Sequence, residues 1–286
     1  MSTPITETIA RRFSCRTFTG APLPDADRQG LAEAAAAMTT GPFGSPLRFM
    51  LAAASAGDDA ALKRLGTYGT IRGASAFVLG AAVPRGMYLE DFGYAMERLI
   101  LTATELDLGT CWIGGFFTRG TFSRRLAASR GERLPSVAAV GRIADRGAAQ
   151  EGMMRRLAGG SRRKPWEELF FDGDFGTAIA ADRAGDYATP LEMLRLAPSA
   201  SNRQPWRVVR QGRSWHFFIQ RTPGYPPPFS RKLFGVEDLQ RVDSGIAMCH
   251  FELTAREKGL AGKWIVRPPT LPLPDTRTEY SATWEG

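Results

Sequence analysis

The sequence predicts an α+β fold in which two related halves of one chain pair about a pseudo-twofold axis, with long central helices packed on mixed β-sheets. Three observations lead there: an internal repeat, helical periodicity inside that repeat, and short apolar runs bounded by Gly and Pro. Asp91 to Trp112 aligns with Asp243 to Trp264 at a constant offset of 152 without a gap, and ten of the 22 positions are identical. The identities include Asp91/Asp243, Gly93/Gly245, Ala95/Ala247, Met96/Met248 and Trp112/Trp264. Duplication therefore divides the chain into a first half, residues 1–165, and a diverged second half, residues 166–286.

Each repeat copy reads as a helix. Met96, Leu99, Ile100 and Ala103 recur at helical spacing, and Ile246, Cys249, Leu253 and Leu260 do so more loosely. Gly109 and Gly259 stand where each helix is expected to stop, before a short apolar run containing Trp. Upstream, Thr3 to Arg12 and Asp25 to Met38 are expected as helices, and Arg48 to Ala54, Ala76 to Val83 and Val137 to Ile143 as strands. In the second half Pro190 to Leu196 is expected as a short helix. Trp206 to Val209 and Trp215 to Gln220 are expected as a strand pair turned at Gln211-Gly212. Pro223 to Phe229 reads as a surface loop, and the Pro-rich tail after Pro268 as a segment draped over the surface.

Composition excludes several classes of function. The formal charge is +8, yet the arginines are spread, with Arg155-Arg156 and Arg162-Arg163-Lys164 as the local clusters. A nucleic-acid surface concentrates such charge in one patch with interleaved aromatics, so no nucleic-acid partner is expected. A local positive field for a phosphorylated small molecule is. Three widely spaced cysteines argue against a disulfide framework or a structural zinc, and no metal site is expected. No apolar run approaches the roughly 20 residues that cross a bilayer, and Met1 to Thr8 lacks the pattern of a secretory signal. The expectation is a cytoplasmic protein without a membrane partner. Two histidines, His216 and His250, read as structural, and no nucleophile elbow, dinucleotide fingerprint or phosphate loop is present.

Four short motifs carry the chemistry. Arg12, Ser14 and Arg16 alternate, so an extended backbone would put all three on one side, where guanidinium forks suit phosphate oxygens. On spacing alone a solvated basic turn explains them equally well. Ala197 to Trp206, with Pro198, Ser199, Ala200, Ser201 and Asn202 at its centre, combines small residues that admit a flat ligand with adaptable hydrogen-bonding groups. Ile113, Gly114 and Gly115 follow the first repeated helix and expose backbone N–H groups; a tight turn after a buried strand is the competing account. Arg162-Arg163-Lys164-Pro165-Trp166 taken alone is a charged linker.

Taken together and in this order, Arg-x-Ser-x-Arg, Leu-Gly-Thr-Cys-Trp-Ile-Gly-Gly, Val140-Gly141-Arg142, Arg-Lys-Pro-Trp-Glu-Glu-Leu and Pro-Ser-Ala-Ser-Asn-x-Gln-Pro-Trp resemble the nitroreductase superfamily. The chain is similar to its fused, two-half "putative TM nitroreductase" group. The resemblance implies a nitroreductase-like fold and one FMN per chain, held where two subunits would otherwise meet, so that a monomer suffices. It implies Arg12, Ser14 and one of Arg162 or Arg163, with Arg163 favoured, on the phosphate. It implies Arg16 near flavin N1 and O2, Pro198 to Asn202 along the ring and ribityl chain, and Ile113, Gly114 and Gly115 near N5. The activity implied is ping-pong hydride transfer from NAD(P)H to a small-molecule substrate such as a nitroaromatic, quinone or activated alkene, with no side chain as catalytic residue. A non-catalytic flavin carrier or sensor is the alternative. The two halves depart from the family pattern in complementary ways. Thr39 to Pro46 stands where the first half should carry a Pro-Ser-x-x-Asn loop, and Phe175 to Tyr187 lacks the arginine motif.

Overall fold

The computed structural model describes residues 3–53, 70–115, 117–147, 162–225 and 235–286. Arg155-Arg156, Gly69, Phe116 and most of the Pro223 to Phe234 stretch lie outside the described residues. The first half contributes α1 (Ile5–Arg11), α2 (Asp25–Ala37), β1 (Leu47–Ala53), β2 (Ala76–Ala82), α3 (Tyr88–Glu105), β3 (Gly109–Ile113), α4 (Arg119–Leu126) and β4 (Val137–Gly141). The chain continues through β5 (Phe170–Asp172), α5 (Ala188–Arg195), β6 (Trp206–Gln211), β7 (Ser214–Gln220), α6 (Leu239–Glu257), β8 (Lys263–Ile265) and β9 (Thr278–Glu285).

Two sheets repeat one topology. The first runs β1-β2-β4-β3 and is antiparallel throughout; the second runs β5-β6-β7-β9-β8, and β5 enters parallel to β6. With β5 set aside, the orders are the same, so β9 is the counterpart of β4. The draped tail expected from the sequence is thus corrected. Thr278 to Glu285 is an interior strand, paired with β7 on one side and β8 on the other. Its Thr, Tyr and Trp residues are good strand formers, and the prolines that precede it mask that signal.

Sequence and burial agree closely in β2, where every residue is buried. Ala76, Val78 and Ala82 point into the core shared with the central helices, whereas Phe77, Leu79 and Ala81 join a second core with Phe13, Cys15, Phe18 and Phe122. Covering a strand on both faces removes the need for polar alternation. Helix α4, which the sequence reading did not anticipate, supplies Phe122 and Leu126 to that second core.

Helices α3 and α6 pack along one another at the centre of the molecule, α3 against β2 and β3 and α6 against β6 and β7. Their repeat-related glycines set the approach. A methyl group on Gly93 would overlap the carbonyl of Val242, and one on Gly245 would overlap the carbonyl of Glu90. Glu90 and Val242 are themselves 152 residues apart, so the contact is the same on both sides, as expected across a twofold axis. Both helices end alike. Leu108 N–H donates to Ala103 and Asp107 N–H to Thr104, as Leu260 does to Ala255 and Gly259 to Arg256. Asp107 and Gly259 hold the left-handed conformation this ending needs, at φ 57° and 74°. Gly109 is therefore not the helix stop but the first residue of β3; in the true register Asp107 pairs with Gly259.

Gly93→Ala and Gly245→Ala should each lower the unfolding free energy by about 1–3 kcal/mol or more, because the added carbon meets backbone that cannot move aside. Urea unfolding of the two variants measures this; wild-type stability in either would refute the close crossing.

Candidate functional site

The arginine segment leaves α1 and runs extended beside β3. Cys15 N–H donates to the Thr110 carbonyl at 2.8 Å, and Arg72 N–H to the Arg16 carbonyl at 2.9 Å. Phe13 and Cys15 sink into the second core, and Arg12, Ser14 and Arg16 alternate with them on the other side. Helix α1 is anchored at its start by Glu257 of α6, whose carboxylate accepts the Ile5 N–H. At its end Arg12 is almost wholly buried, with Nε 3.6 Å from Glu97 Oε1 of α3. Burial lowers the Arg12 pKa and Glu97 opposes the shift; a guanidinium nevertheless stays charged.

The Pro198 to Asn202 loop is strained and tightly held. Ser201, Asn202 and Gln204 have φ of 51°, 52° and 48°, a conformation that costs a non-glycine residue about 1–2 kcal/mol. Four ties fasten it: Ala200 N–H donates to Asp243 Oδ1 at 2.9 Å, Gln204 N–H to Ser199 Oγ at 2.9 Å, Asn202 Nδ2 to the Arg162 carbonyl at 3.0 Å, and Lys164 N–H to Gln204 Oε1 at 2.8 Å. Of the adjacent arginines, it is Arg163 whose guanidinium turns to the loop, donating to the Leu196 carbonyl at 3.0 Å and to Asn202 Oδ1 at 3.4 Å. The Arg162 side chain is exposed and its carbonyl does the binding.

Ile113 ends β3 in the second core. At Gly114 a Cβ would come within 2.8 Å of the Leu239 side chain, so this glycine admits the start of α6. Gly115 faces open space, and the Gly114 carbonyl accepts Arg119 Nη2 at 2.8 Å.

One face of α6 collects these parts. Leu239 touches Gly114, and Asp243, one turn on, holds Ala200. His250, two turns further, reaches Glu97 Oε1 with Nε2 at 2.9 Å and the Met193 carbonyl of α5 with Nδ1 at 2.9 Å. Positions 239, 243 and 250 fall on one side of a helix, over about 16 Å at 1.5 Å per residue. The sequence reading missed Leu239, Asp243, Glu97 and Gln204. A signal existed for Asp243, which is identical to Asp91 in the repeat. Asp91 likewise accepts Phe43 and Ser45 N–H groups at 2.8 Å, so Thr39 to Pro46 is the structural counterpart of the serine-asparagine loop. Glu97 and His250 carried no such signal, because the repeat diverges at both.

Burial pushes the Asp243 carboxyl well above the ordinary carboxylate range, with the Ala200 N–H opposing, and Oδ2 has no hydrogen-bond partner among the described residues. The folded state therefore binds this proton more tightly than the unfolded chain. Its stabilisation is complete below the ordinary carboxylate pKa and is lost as pH rises through the elevated one. Asp243→Asn keeps an acceptor for Ala200 and should flatten that part of the stability-against-pH curve. Asp243→Ala should lose about 1 kcal/mol with the hydrogen bond. Urea midpoints across the acidic and neutral range test both.

The family model described as "Putative TM nitroreductase" matches residues 4–255. A putative nitroreductase from Thermotoga maritima superposes with a TM-score of 0.62 at 19% identity, over 100% of this chain and 94% of its own, which shows a shared fold. An oxidoreductase containing FMN covers 55% of this chain and 85% of its own at 19% identity and a TM-score of 0.44. A putative nitroreductase in complex with FMN from Desulfovibrio desulfuricans covers 51% and 89% at 24% identity and a TM-score of 0.39. No curated protein matches the sequence.

Proposed function

We propose a flavin-dependent redox function from one premise: the chain belongs to the "Putative TM nitroreductase" family. The cofactor is FMN, one per chain, as the motifs resembling nitroreductases imply, and a small organic molecule is the substrate. What supports the reading is the common face of α6, whose Leu239 lies against Gly114, whose Asp243 holds Ala200 of the serine-asparagine loop, and whose His250 bonds Glu97, the carboxylate beside Arg12.

The residues present fit such a group. Arg12 is a buried cation whose Nε has no hydrogen-bond partner among the described residues, and a buried charge calls for an opposing one. Arg12 and Ser14, with Arg163, would bind the phosphate, and Arg16 would place positive charge beside the pyrimidine edge of the ring. Pro198 to Asn202 would line the ring and ribityl chain. Gly115, open on its side-chain face, would let the ring lie against backbone. When bound, FMN would supply hydride transfer between NADH or NADPH and a nitroaromatic, quinone or activated alkene, in a ping-pong cycle. The protein's part is to hold the ring and exclude competing positions. No acid or base among the side chains is required.

Purified protein should be yellow and release FMN on denaturation, and NADH or NADPH added without oxygen should bleach its visible band. Bleaching by neither donor would leave a flavin carrier or sensor in place of the enzyme. Arg12→Ala removes charge-assisted hydrogen bonds of about 1.5–3 kcal/mol and should weaken FMN binding roughly tenfold to more than a hundredfold. An unchanged affinity in a fluorescence titration would take Arg12 off the phosphate.

A further inference from the structure

Glu97 of α3 and His250 of α6 are fully buried and meet each other from opposite halves, and Glu97 Oε1 also lies 3.6 Å from Arg12 Nε. Their hydrogen bonds determine how much charge they carry together. His250 Nδ1 is 2.9 Å from the Met193 carbonyl, which can only accept, so Nδ1 bears a hydrogen. Nε2 is 2.9 Å from Glu97 Oε1, and a hydrogen bond at that distance needs one more proton between the two atoms. With that proton on the ring, an imidazolium faces a carboxylate. With it on Glu97, both groups are neutral. The pair sums to zero in either state.

Glu97 Oε2 accepts Trp112 Nε1 at 2.7 Å, so the carboxyl group is satisfied from α6 and β3 without a hydrogen bond from Arg12, which reaches it only at 3.6 Å. Cys111 is a further titratable group beside Arg12, a buried thiol whose pKa burial raises and which therefore stays neutral. The neighbouring Arg11 pairs with Asp107 at 3.1 Å, and Arg146 takes the same carboxylate oxygen at 2.5 Å. The buried set Arg12, Glu97, His250 and Cys111 thus retains one net positive charge.

We propose that His250 is a positioning residue of the anion site: by sharing a proton with Glu97 it cancels that carboxylate and leaves the charge of Arg12 free for the phosphate monoester of the cofactor. The assignment rests on Arg12 as the phosphate ligand. Without His250, Glu97 would be an anion balanced only by Arg12, and the cluster would fall to zero net charge. Without both, the positive charge returns. The prediction is therefore a loss that a second deletion restores, which a packing role for His250 would not produce.

FMN and riboflavin differ by the phosphate, so their affinities, read by quenching of flavin fluorescence, separate this effect from binding of the ring. Wild-type protein should prefer FMN. His250→Gln should weaken FMN binding by roughly tenfold or more while riboflavin binding stays within about threefold. His250→Gln with Glu97→Gln should regain the preference, and Glu97→Gln alone should show a preference at or above wild type. A wild-type protein that does not distinguish FMN from riboflavin refutes Arg12 as phosphate ligand. A wild-type preference that survives His250→Gln, equal losses for both flavins, or a double variant that stays weak each overturns the role of His250 alone. If His250→Gln does not fold, Glu97→Gln decides: loss of its FMN preference sinks the proposal.

Discussion

The close crossing of α3 and α6 is the constraint on which the rest of the molecule depends. Gly93 lies against the Val242 carbonyl and Gly245 against the Glu90 carbonyl, so two backbones approach where any side chain would hold them apart. Everything that bridges the halves is measured from that contact. Asp91 and Asp243 each stand two residues before the crossing glycine and each fasten a loop of their own half. Leu239 reaches Gly114 across the axis because α6 begins one turn earlier. A wider crossing would separate these pairs by the thickness of a side chain.

Burying the interface also means burying charge, and two of the buried carboxylates, Glu90 and Glu97, take a partner from the other half. Glu90, 1% exposed on α3, takes Arg241 of α6 at 2.7 Å; Arg241 and Arg221 extend the network to Asp238 and Glu279. Removal of one member of such a pair costs about 3–5 kcal/mol, because the charge left behind has lost its solvent. Glu97 and His250 do the same about two turns further along the helices. Arg12 differs: its carboxylate neighbour Glu97 is already bonded to Trp112 and His250, and the proposed anion site draws on that surplus of positive charge.

Strain is concentrated where the second half meets the first. Ser201, Asn202 and Gln204 of the serine-asparagine loop hold positive φ, whereas the equivalent Thr39 to Pro46 loop places only Gly44 in that region. Such conformations persist when their surroundings over-determine them, and here Asp243, Arg162 and Lys164 do so from three directions. The Thr39 to Pro46 loop of the first half has an ordinary glycine turn in place of that strain.

Much of this architecture is written locally. The repeat, the two central helices, the strands around Phe49, Val78 and Val140, the hairpin at Gly212 and the alternation of Arg12, Ser14 and Arg16 all follow from periodicity, turn residues and spacing, which depend on neighbours a few positions away. Tertiary structure alone decided the rest. Thr278 to Glu285 became an interior strand because its partners, β7 and β8, lie on either side of it only after the chain has folded back. Arg163 rather than Arg162 turned to the loop because the helix end at Leu196 offers it a carbonyl. His250 and Glu97 acquired a joint charge because a carbonyl 57 residues away and a carboxylate 153 residues away converge on one ring. Hydrogen-bond partners and burial belong to the assembled chain, and no local pattern encodes them.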